Sequence, residues 1–172
     1  LKQIGADVDF YLPDRANESH GLNTKALVNI ISKRKSKLII TVDCGISNVT
    51  EVNFANGFRT DVIITDHHEA PAVLPNAFAI INPKAPNSLQ TDLSLSDLES
   101  LNTLAGVGVA FKVACKLLEI YNKQDFVHEI LPLAAVGTIG DIVDLTGENR
   151  TIAAMGIELV KRGKNKGLQA LL

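Results

Sequence analysis

The chain has 172 residues, 46% of them hydrophobic, and a formal net charge of −2. This composition suits a folded core in one domain or one large lobe, and the charge argues against a protein that coats nucleic acid through a generally basic surface. The two cysteines, Cys44 and Cys115, form no CxxC pair, and no apolar run of about 18 residues or signal-peptide pattern is present. We therefore expect a cytoplasmic protein with reduced thiols and no membrane association.

The first half of the sequence alternates between strand and helix patterns. Apolar β-branched runs predict strands, and the amphipathic stretches between them predict helices. In chain order we predict a strand over 8–12, a helix over 24–34, a strand over 38–42, a helix over about 48–56 that Gly57 ends, and strands over 62–65 and 78–81. This alternation favours a parallel sheet with right-handed crossovers.

The second half is predicted to be helical, after a polar, turn-rich loop over 83–95. The segment 126–143 is almost wholly apolar, which predicts a buried helix. Further helices are predicted over 107–121 and 148–160, with Gly163 as a stop and a last helix from about Asn165. We therefore predict a three-layer α/β part with a mostly parallel sheet over 1–95, followed by a helical part of the catalytic core over 96–172.

Two neighbouring predicted strands end on residues that suit metal chemistry. Asp43 follows one strand, and Asp66, His67 and His68 follow the next. In open α/β sheets ligands bind beyond the carboxyl ends of the strands, so these side chains are expected to share one crevice. Carboxylates together with imidazoles suit Mn, Fe or Zn better than Mg alone. A turn at Asp43 and a loop cap at Asp66 are the structural alternatives, but the cluster as a whole favours a site.

Four more residues are candidates for the same chemistry. Asp141 lies in an apolar stretch, where a carboxylate is costly unless it is paired or bound to metal, and a helix cap is the alternative. Arg15, in the loop after the first predicted strand, could grip a phosphate in bidentate fashion or be an exposed loop residue. Asn149 and Arg150 are candidates for phosphate contact because they follow Asp141 closely in sequence.

Two clusters of four cations, over 33–37 and 161–166, also stand out. Most such clusters are solvated faces, and contact with nucleic acid is the alternative. The glycine-bearing segment 104–112 opens a helix in a way that suits an anion, but it lacks the spacing of a P-loop. Tight helix packing explains its glycines equally well.

Several segments, in this order along the chain, resemble the successive motifs of the DHH phosphoesterase superfamily. They are Val42-Asp43-Cys44-Gly45, Thr65-Asp66-His67-His68-Glu69, Asn82-Pro83-Lys84, the segment 104–112, and Gly137-Thr138-Ile139-Gly140-Asp141 followed by Glu148-Asn149-Arg150. The resemblance covers nearly the whole chain. The segment 104–112 and the loop Pro13-Asp14-Arg15 are similar to the RecJ-type branch, which comprises 5′→3′ single-strand-specific DNA exonucleases.

The resemblance implies a two-metal site, usually for Mn²⁺ or Mg²⁺. Asp43 would bridge the two ions, and His67 and Asp141 would hold one of them. His68 would face the scissile phosphate, and Asp66 would orient the histidine pair. The ions would generate hydroxide from water and neutralise charge on the attacked phosphate.

The resemblance also implies single-stranded DNA as the substrate, in DNA repair and recombination. Arg15 and Arg150 would contact its phosphates, and a single-strand-binding protein and a helicase are the implied partners. Two alternatives stay open. One is a small-substrate phosphodiesterase or pyrophosphatase of the same superfamily, and the other is a catalytically inactive scaffold, against which the intact ligand set argues.

The chain departs from the family pattern in three places. The earlier Asp-x-Asp-Gly motif, on a first strand that supplies the remaining metal ligands, is not found, and residues 19–21 read Ser-His-Gly instead of Gly-Tyr-Gly. Asp144, the third departure, stands where a proline is usual. The family's second lobe is also missing downstream. We therefore expect an internal fragment that folds but is inactive by itself, with an exposed sheet edge that favours self-association.

Overall fold

The computed structural model describes residues 1–14, 16–18, 21–86, 94–163 and 165–171. It divides into two compact units. One comprises Asp9–Thr91 and contains the sheet. The other comprises Leu1–Val8 with Asp92–Leu172 and is helical apart from its connections.

In the described residues, three parallel strands form the sheet, and they lie side by side in chain order. The pairing is in register, with Ile40 opposite Ile63 and Ile64 opposite Ile80. Parallel strands in register bring their carboxyl ends to one edge of the sheet. The predicted parallel sheet is therefore confirmed. Its strands are β1 (Leu38–Val42), β2 (Asp61–Thr65) and β3 (Ala79–Ile81).

Two helices accompany the strands. The first, α1 (Thr24–Val28), begins where the Asn23 side chain accepts a hydrogen bond from the Ala26 N–H, and it continues as a π-helical turn over Asn29–Lys33. The second, α2 (Val49–Gly57), ends with Gly57, and the chain then turns at Arg59, whose φ is 56°. The predicted helices over 24–34 and 48–56 are thus present. Their apolar faces pack with the strands in a core whose members include Leu27, Ile39, Val52, Val62 and Ile64.

The strand predicted over 8–12 is wrong, because these residues form no ladder with the sheet. Phe10 and Leu12 are 74% and 79% exposed, so the segment buries no apolar face. Hydrogen bonds that involve side chains hold residues 8–12 in place instead. The Tyr11 hydroxyl donates to the Glu18 carboxylate at 2.7 Å, and the Arg34 guanidinium donates to the Phe10 carbonyl at 2.9 Å.

Among the described residues of the helical unit, short 3-10 turns at Lys2–Ile4 and Gln124–Phe126 accompany five helices. The predicted helices over 107–121, 126–143 and 148–160 are all present, within a few residues at each end. Their core includes Leu104, Val109, Leu131, Ala135 and Ile152. The helices are α3 (Leu95–Asn102), α4 (Gly106–Ile120), α5 (Val127–Gly140), α6 (Gly147–Lys161) and α7 (Lys166–Gln169).

Helix α5 is buried on one side only, which corrects the expectation of a wholly buried helix. Ala134 and Ala135 are buried, whereas Leu133, Val136 and Ile139 are 49%, 44% and 42% exposed. Small residues on the buried side of α5 let α6 approach closely. One face of α5 therefore packs against another helix in this way. None of the helices in the described residues is both long and apolar enough to cross a membrane.

Candidate metal centre

Asp43 lies where β1 ends and the chain turns sharply. Its φ is 61°, in the left-handed region that aspartate tolerates better than most residues, and its N–H donates to the Thr65 carbonyl at 2.9 Å. Gly45 completes the turn with a φ of 115°, and a Cβ there would lie 2.9 Å from Thr41 Oγ1. The turn therefore requires glycine at position 45, and it leaves the Asp43 carboxylate 49% exposed.

Asp43, His67 and His68 form a cluster that can hold a metal ion. Each offers one donor atom, and these atoms all lie within 4.8 Å of one another. Asp43 Oδ1 lies 3.1 Å from His67 Nε2. Metal bonds of about 2.0–2.2 Å to nitrogen and oxygen require donor atoms at about this spacing. The predicted crevice is therefore formed by the ends of β1 and β2, which are hydrogen-bonded neighbours.

Asp66 is almost fully buried, at 1% exposure. Its carboxylate forms hydrogen bonds within the protein and is not exposed on the solvent side of the cluster. Its Oδ1 accepts from the His67 N–H at 2.8 Å and lies 2.7 Å from His68 Nδ1, while Oδ2 accepts from the Ile46 N–H at 3.0 Å. Burial by itself would raise the pKa of this carboxyl, but these hydrogen bonds outweigh it and hold the pKa below its ordinary value. The ionised Asp66 therefore keeps the proton of His68 on Nδ1 and leaves Nε2 for a metal or a phosphate.

The backbone after His68 is held by Asn82, which follows β3 and is 2% exposed. Its Nδ2 donates to the His68 carbonyl at 2.9 Å, and its Oδ1 accepts from the Lys84 N–H at 2.8 Å. Asn82 thus ties the end of β3 to the histidine pair. The sequence analysis assigned no role to Asn82. Its position directly after the last predicted strand, within a family motif, could have indicated that it supports the site.

Cys44 adjoins the cluster but is a poor ligand in the metal-free state. Burial raises the pKa of its thiol to about 11, with further upward contributions from the carboxylates of Asp66 and Asp43. A neutral thiol binds metal weakly, because the thiolate is the ligand. Cys44 and Cys115 are both free.

Asp141 belongs to the helical unit, where it follows α5 and its N–H donates to the Gly137 carbonyl. Asp141 is exposed. The expectation that its carboxylate would be buried, and therefore costly unless paired or bound to metal, is wrong. The chain turns immediately afterwards at Ile142, which has a φ of 58° and is 90% exposed. The metal-ligand role of Asp141 stays a prediction, and it rests on the family motif.

The structure corrects the interpretation of Asn149 as a phosphate contact. Its side chain is fully buried and its hydrogen-bonding groups are used within the helical unit. Oδ1 accepts from the Ala105 N–H at 3.3 Å, and Nδ2 donates to the carbonyls of Thr103 at 2.7 Å and Asp144 at 3.1 Å. The neighbouring Arg150 is exposed, and its phosphate contact stays a prediction. Arg15, the other arginine of the predicted substrate set, lies outside the described residues.

A family model and several known proteins match this chain. A model of the DHH family, N-terminal domain, matches residues 1–138. The chain is 44% identical over 172 residues to the single-stranded-DNA-specific exonuclease RecJ of Bacillus subtilis, and 34% identical over 185 residues to that of Escherichia coli. All of the chain is covered in both cases, but it spans only 20% and 30% of the length of those relatives.

Two solved structures are similar as well. A crystal structure of exonuclease RecJ bound to manganese matches with a TM-score of 0.82 and 31% identity, covering 99% of this chain and 40% of that one. RecJ from Thermus thermophilus, in complex with Mn²⁺, matches with a TM-score of 0.67 and 29% identity, covering 84% of this chain and 20% of that one.

Proposed function

This chain belongs to the DHH family, and on that premise we propose that it supplies metal-binding residues to a 5′→3′ single-stranded-DNA exonuclease of the RecJ type. The observation that carries the proposal is the cluster of Asp43, His67 and His68 at the carboxyl ends of two parallel strands, with donor atoms within 4.8 Å. Its position obeys the rule for ligand sites in open α/β sheets. The relatives that match the whole chain at 44% and 34% identity are named single-stranded-DNA-specific exonucleases.

One carboxylate and two imidazoles fit a divalent transition metal, and Mn²⁺ or Mg²⁺ is the proposed cofactor. A bound pair of such ions supplies hydroxide at neutral pH and neutralises charge on the attacked phosphate. Asp43 and His67 would hold the metal, and Asp141 is proposed as a further ligand. The two solved RecJ structures compared above contain manganese.

The chain's own residues prepare the site in three ways. Asp66 holds the Nδ1 proton of His68, so that Nε2 can approach a phosphate oxygen or the metal. Asn82 fixes the His68 backbone, and the left-handed turn at Asp43 leaves that carboxylate exposed beside His67. Hydrogen bonds to the backbone thus hold the histidine pair in place, while the atoms that would bind the metal stay accessible.

We further propose that the substrate strand is held by Arg150 and Arg15, and that the enzyme acts in DNA repair and recombination in the cytoplasm. A single-strand-binding protein and a helicase are proposed partners. These proposals rest on the family resemblance, on the exposure of Arg150 and on the chemistry of guanidinium–phosphate pairs. The relatives' names support single-stranded DNA as the substrate.

The decisive experiment compares the full-length protein with its Asp43→Ala variant on single-stranded DNA labelled at the 5′ or the 3′ end, with Mn²⁺. We expect digestion from the 5′ end by the wild type and none by the variant, because the carboxylate is lost from the metal. Asp125→Ala, an exposed acid of the helical unit, is the control and should digest normally. Normal digestion by Asp43→Ala would refute the proposal, and a preference for a dinucleotide over long DNA would favour a small-substrate phosphodiesterase.

A further inference from the structure

Three segments meet at the amino-terminal edge of the sheet, opposite the edge that carries Asp43. The Asp61 N–H donates to the Lys37 carbonyl at 2.9 Å. Next to it, the Thr60 hydroxyl donates to the Ser36 carbonyl at 3.1 Å. The loop that precedes β1 and the loop that precedes β2 are therefore joined.

The third segment is attached by Arg34, whose guanidinium pairs with Asp9 and donates to the Phe10 carbonyl. Together the three segments expose a set of residues that we call the amino-edge surface. It consists of Phe10, Lys33, Lys35, Lys37, Phe58 and Arg59.

The amino-edge surface is strongly positive in a chain whose net charge is −2. Segments 9–10, 33–37 and 58–61 contain five cations and only two carboxylates. Within the described part of the chain, Arg34 alone among these five cations forms an ion pair, with Asp9. The other four are exposed to solvent and free to meet an anionic partner.

Two aromatic rings stand among these cations. Phe10 is 74% exposed and Phe58 is 57% exposed, and the Phe58 ring is supported from behind by Phe54, with ring centroids 4.9 Å apart. A third exposed ring, Phe78, lies at the same edge of the sheet, just before β3, with 73% exposure. Large exposed apolar side chains that lie together usually mark a binding surface.

Both loops of the surface are strained at a cation. Lys35 has a φ of 53° and Arg59 a φ of 56°, in the left-handed region that glycine adopts without cost. Neither side chain is short enough to relieve the strain by a local hydrogen bond, as Asn or Asp can. Each residue directly follows the end of a helix, so the left-handed conformation is the turn that ends the helix and sets the course of the loop.

We propose that the amino-edge surface binds single-stranded nucleic acid at a place distinct from the metal centre. Cations that meet phosphates and exposed rings on which bases stack are the two components of sequence-independent single-strand binding. Lys37 and Asp43 flank β1 and are six residues apart, which is about 20 Å at about 3.3 Å per residue. A single strand that touches both places must therefore span about 20 Å.

The test measures binding without hydrolysis, so it is independent of the proposed nuclease activity. A fluorescent 20-nucleotide oligo-dT is titrated with the full-length protein in EDTA at several salt concentrations. The variant Lys33→Gln/Lys35→Gln/Lys37→Gln is compared with Lys161→Gln/Arg162→Gln/Lys166→Gln, which removes the same charge from the other basic cluster. We expect weaker binding for the first variant only, with the slope of log K against log salt reduced by about 2.

Phe10→Leu separates nucleic acid from other anionic partners. It should weaken oligo-dT binding about tenfold without changing the salt slope, because stacking is lost and no phosphate contact is. In the active enzyme, the KM of the 20-nucleotide substrate should rise for the lysine variant, whereas that of a dinucleotide, which is too short to reach both places, should not change. The conservative variant Lys33→Arg/Lys35→Arg/Lys37→Arg should bind like the wild type.

Two results would overturn the proposal. One is oligo-dT binding by the triple-glutamine variant that equals that of its charge-matched control. The other is unchanged binding by Phe10→Leu together with competition by poly-glutamate as strong as that by DNA, which would identify an acidic-protein surface. If the triple variant did not fold, the single variant Lys35→Gln would carry the same comparison, with an expected slope change of about 0.7.

Discussion

Two carboxylates in the turns after neighbouring strands have opposite environments. Asp66 is 1% exposed and accepts hydrogen bonds from the backbone of three residues and from the His68 ring. Asp43 is 49% exposed and is adjacent to His67. The buried carboxylate therefore builds the turn, whereas the exposed one remains available to a cation.

Asp66→Asn should destabilise the protein in spite of its unchanged size. The amide NH₂ must face either the Ile46 N–H or the backbone and ring donors of the histidine pair, so one side loses its acceptor. A buried donor left without an acceptor costs about 1–3 kcal/mol of unfolding free energy, which urea denaturation in EDTA measures. Asp61→Asn, at the exposed start of β2, is the matched control and should change it by less than about 0.5 kcal/mol. Equal stability of the two variants would contradict the role given to Asp66.

Asn149 joins three segments of the helical unit from a fully buried position. Asn149→Leu keeps a similar volume but leaves the Ala105 N–H and the carbonyls of Thr103 and Asp144 without their partner. We expect a loss of about 3 kcal/mol in unfolding free energy, since each stranded buried group costs about 1–3 kcal/mol. Asn102→Leu, at the exposed end of α3, should be nearly neutral in the same thermal or urea unfolding experiment. A neutral Asn149→Leu would show that the buried amide does not hold these segments.

At the scale of elements, glycines set the distance between helices in the helical unit. A Cβ at Gly156 on α6 would lie 2.2 Å from the Ala135 Cβ and 2.8 Å from the Leu131 carbonyl oxygen, both on α5. A Cβ at Gly137 on α5 would lie 3.0 Å from Val107 Cγ1 on α4. These contacts allow α5 to bury its small-residue face closely, while its larger apolar residues remain partly exposed.

Gly156→Ala should therefore be destabilising, although alanine favours a helix over glycine by about 1 kcal/mol. Overpacking at a rigid contact costs about 1–3 kcal/mol, because the Ala135 Cβ and the Leu131 carbonyl belong to the facing helix and cannot rotate away. Gly140→Ala, at the last position of α5, meets nothing within 4 Å and should be neutral or stabilising. Unfolding midpoints of the two variants measured side by side test this, and an increase for Gly156→Ala would refute the close packing.

At the scale of the whole molecule, Asp43, His67 and His68 belong to the sheet unit, and Asp141 belongs to the helical unit. The family resemblance implies that Asp141 ligates the same ion as His67. Asp141→Ala should then weaken Mn²⁺ binding by the full-length protein at least tenfold, as His67→Ala should, because each removes one donor from the ion. Calorimetric titration measures the affinities, and Asp144→Ala, an exposed acid three residues further on, is the control.

A structure of the metal-bound protein gives a second readout for Asp141. Donor atoms on a common ion lie within about 4–5 Å of one another, since each bond is about 2.0–2.2 Å. Wild-type Mn²⁺ affinity in Asp141→Ala, or a metal-bound structure in which Asp141 lies far from the ion, would show that the prediction is wrong.

The sequence by itself determined the sheet strands and the residues at their carboxyl ends. Runs of β-branched residues over 38–42 and 62–65 predict buried parallel strands, and parallel pairing necessarily brings Asp43 and the Asp66-His67-His68 triplet to one edge. The periodicity of the second half likewise predicted the helices. These features depend on local pattern and on the geometry of a parallel sheet, so they follow from the order of residues alone.

Only the tertiary structure decided which polar residues are buried and which apolar ones are not. The partners of Asn149 in the α3–α4 connection lie 44 and 46 positions away in sequence, and no local pattern reveals them. Asp141 is exposed despite its apolar neighbours, because α5 ends there, and residues 8–12 stay out of the sheet because Phe10 and Leu12 find no apolar face to cover. Burial is set by what packs against a residue, and that is a property of the folded chain rather than of its neighbours in sequence.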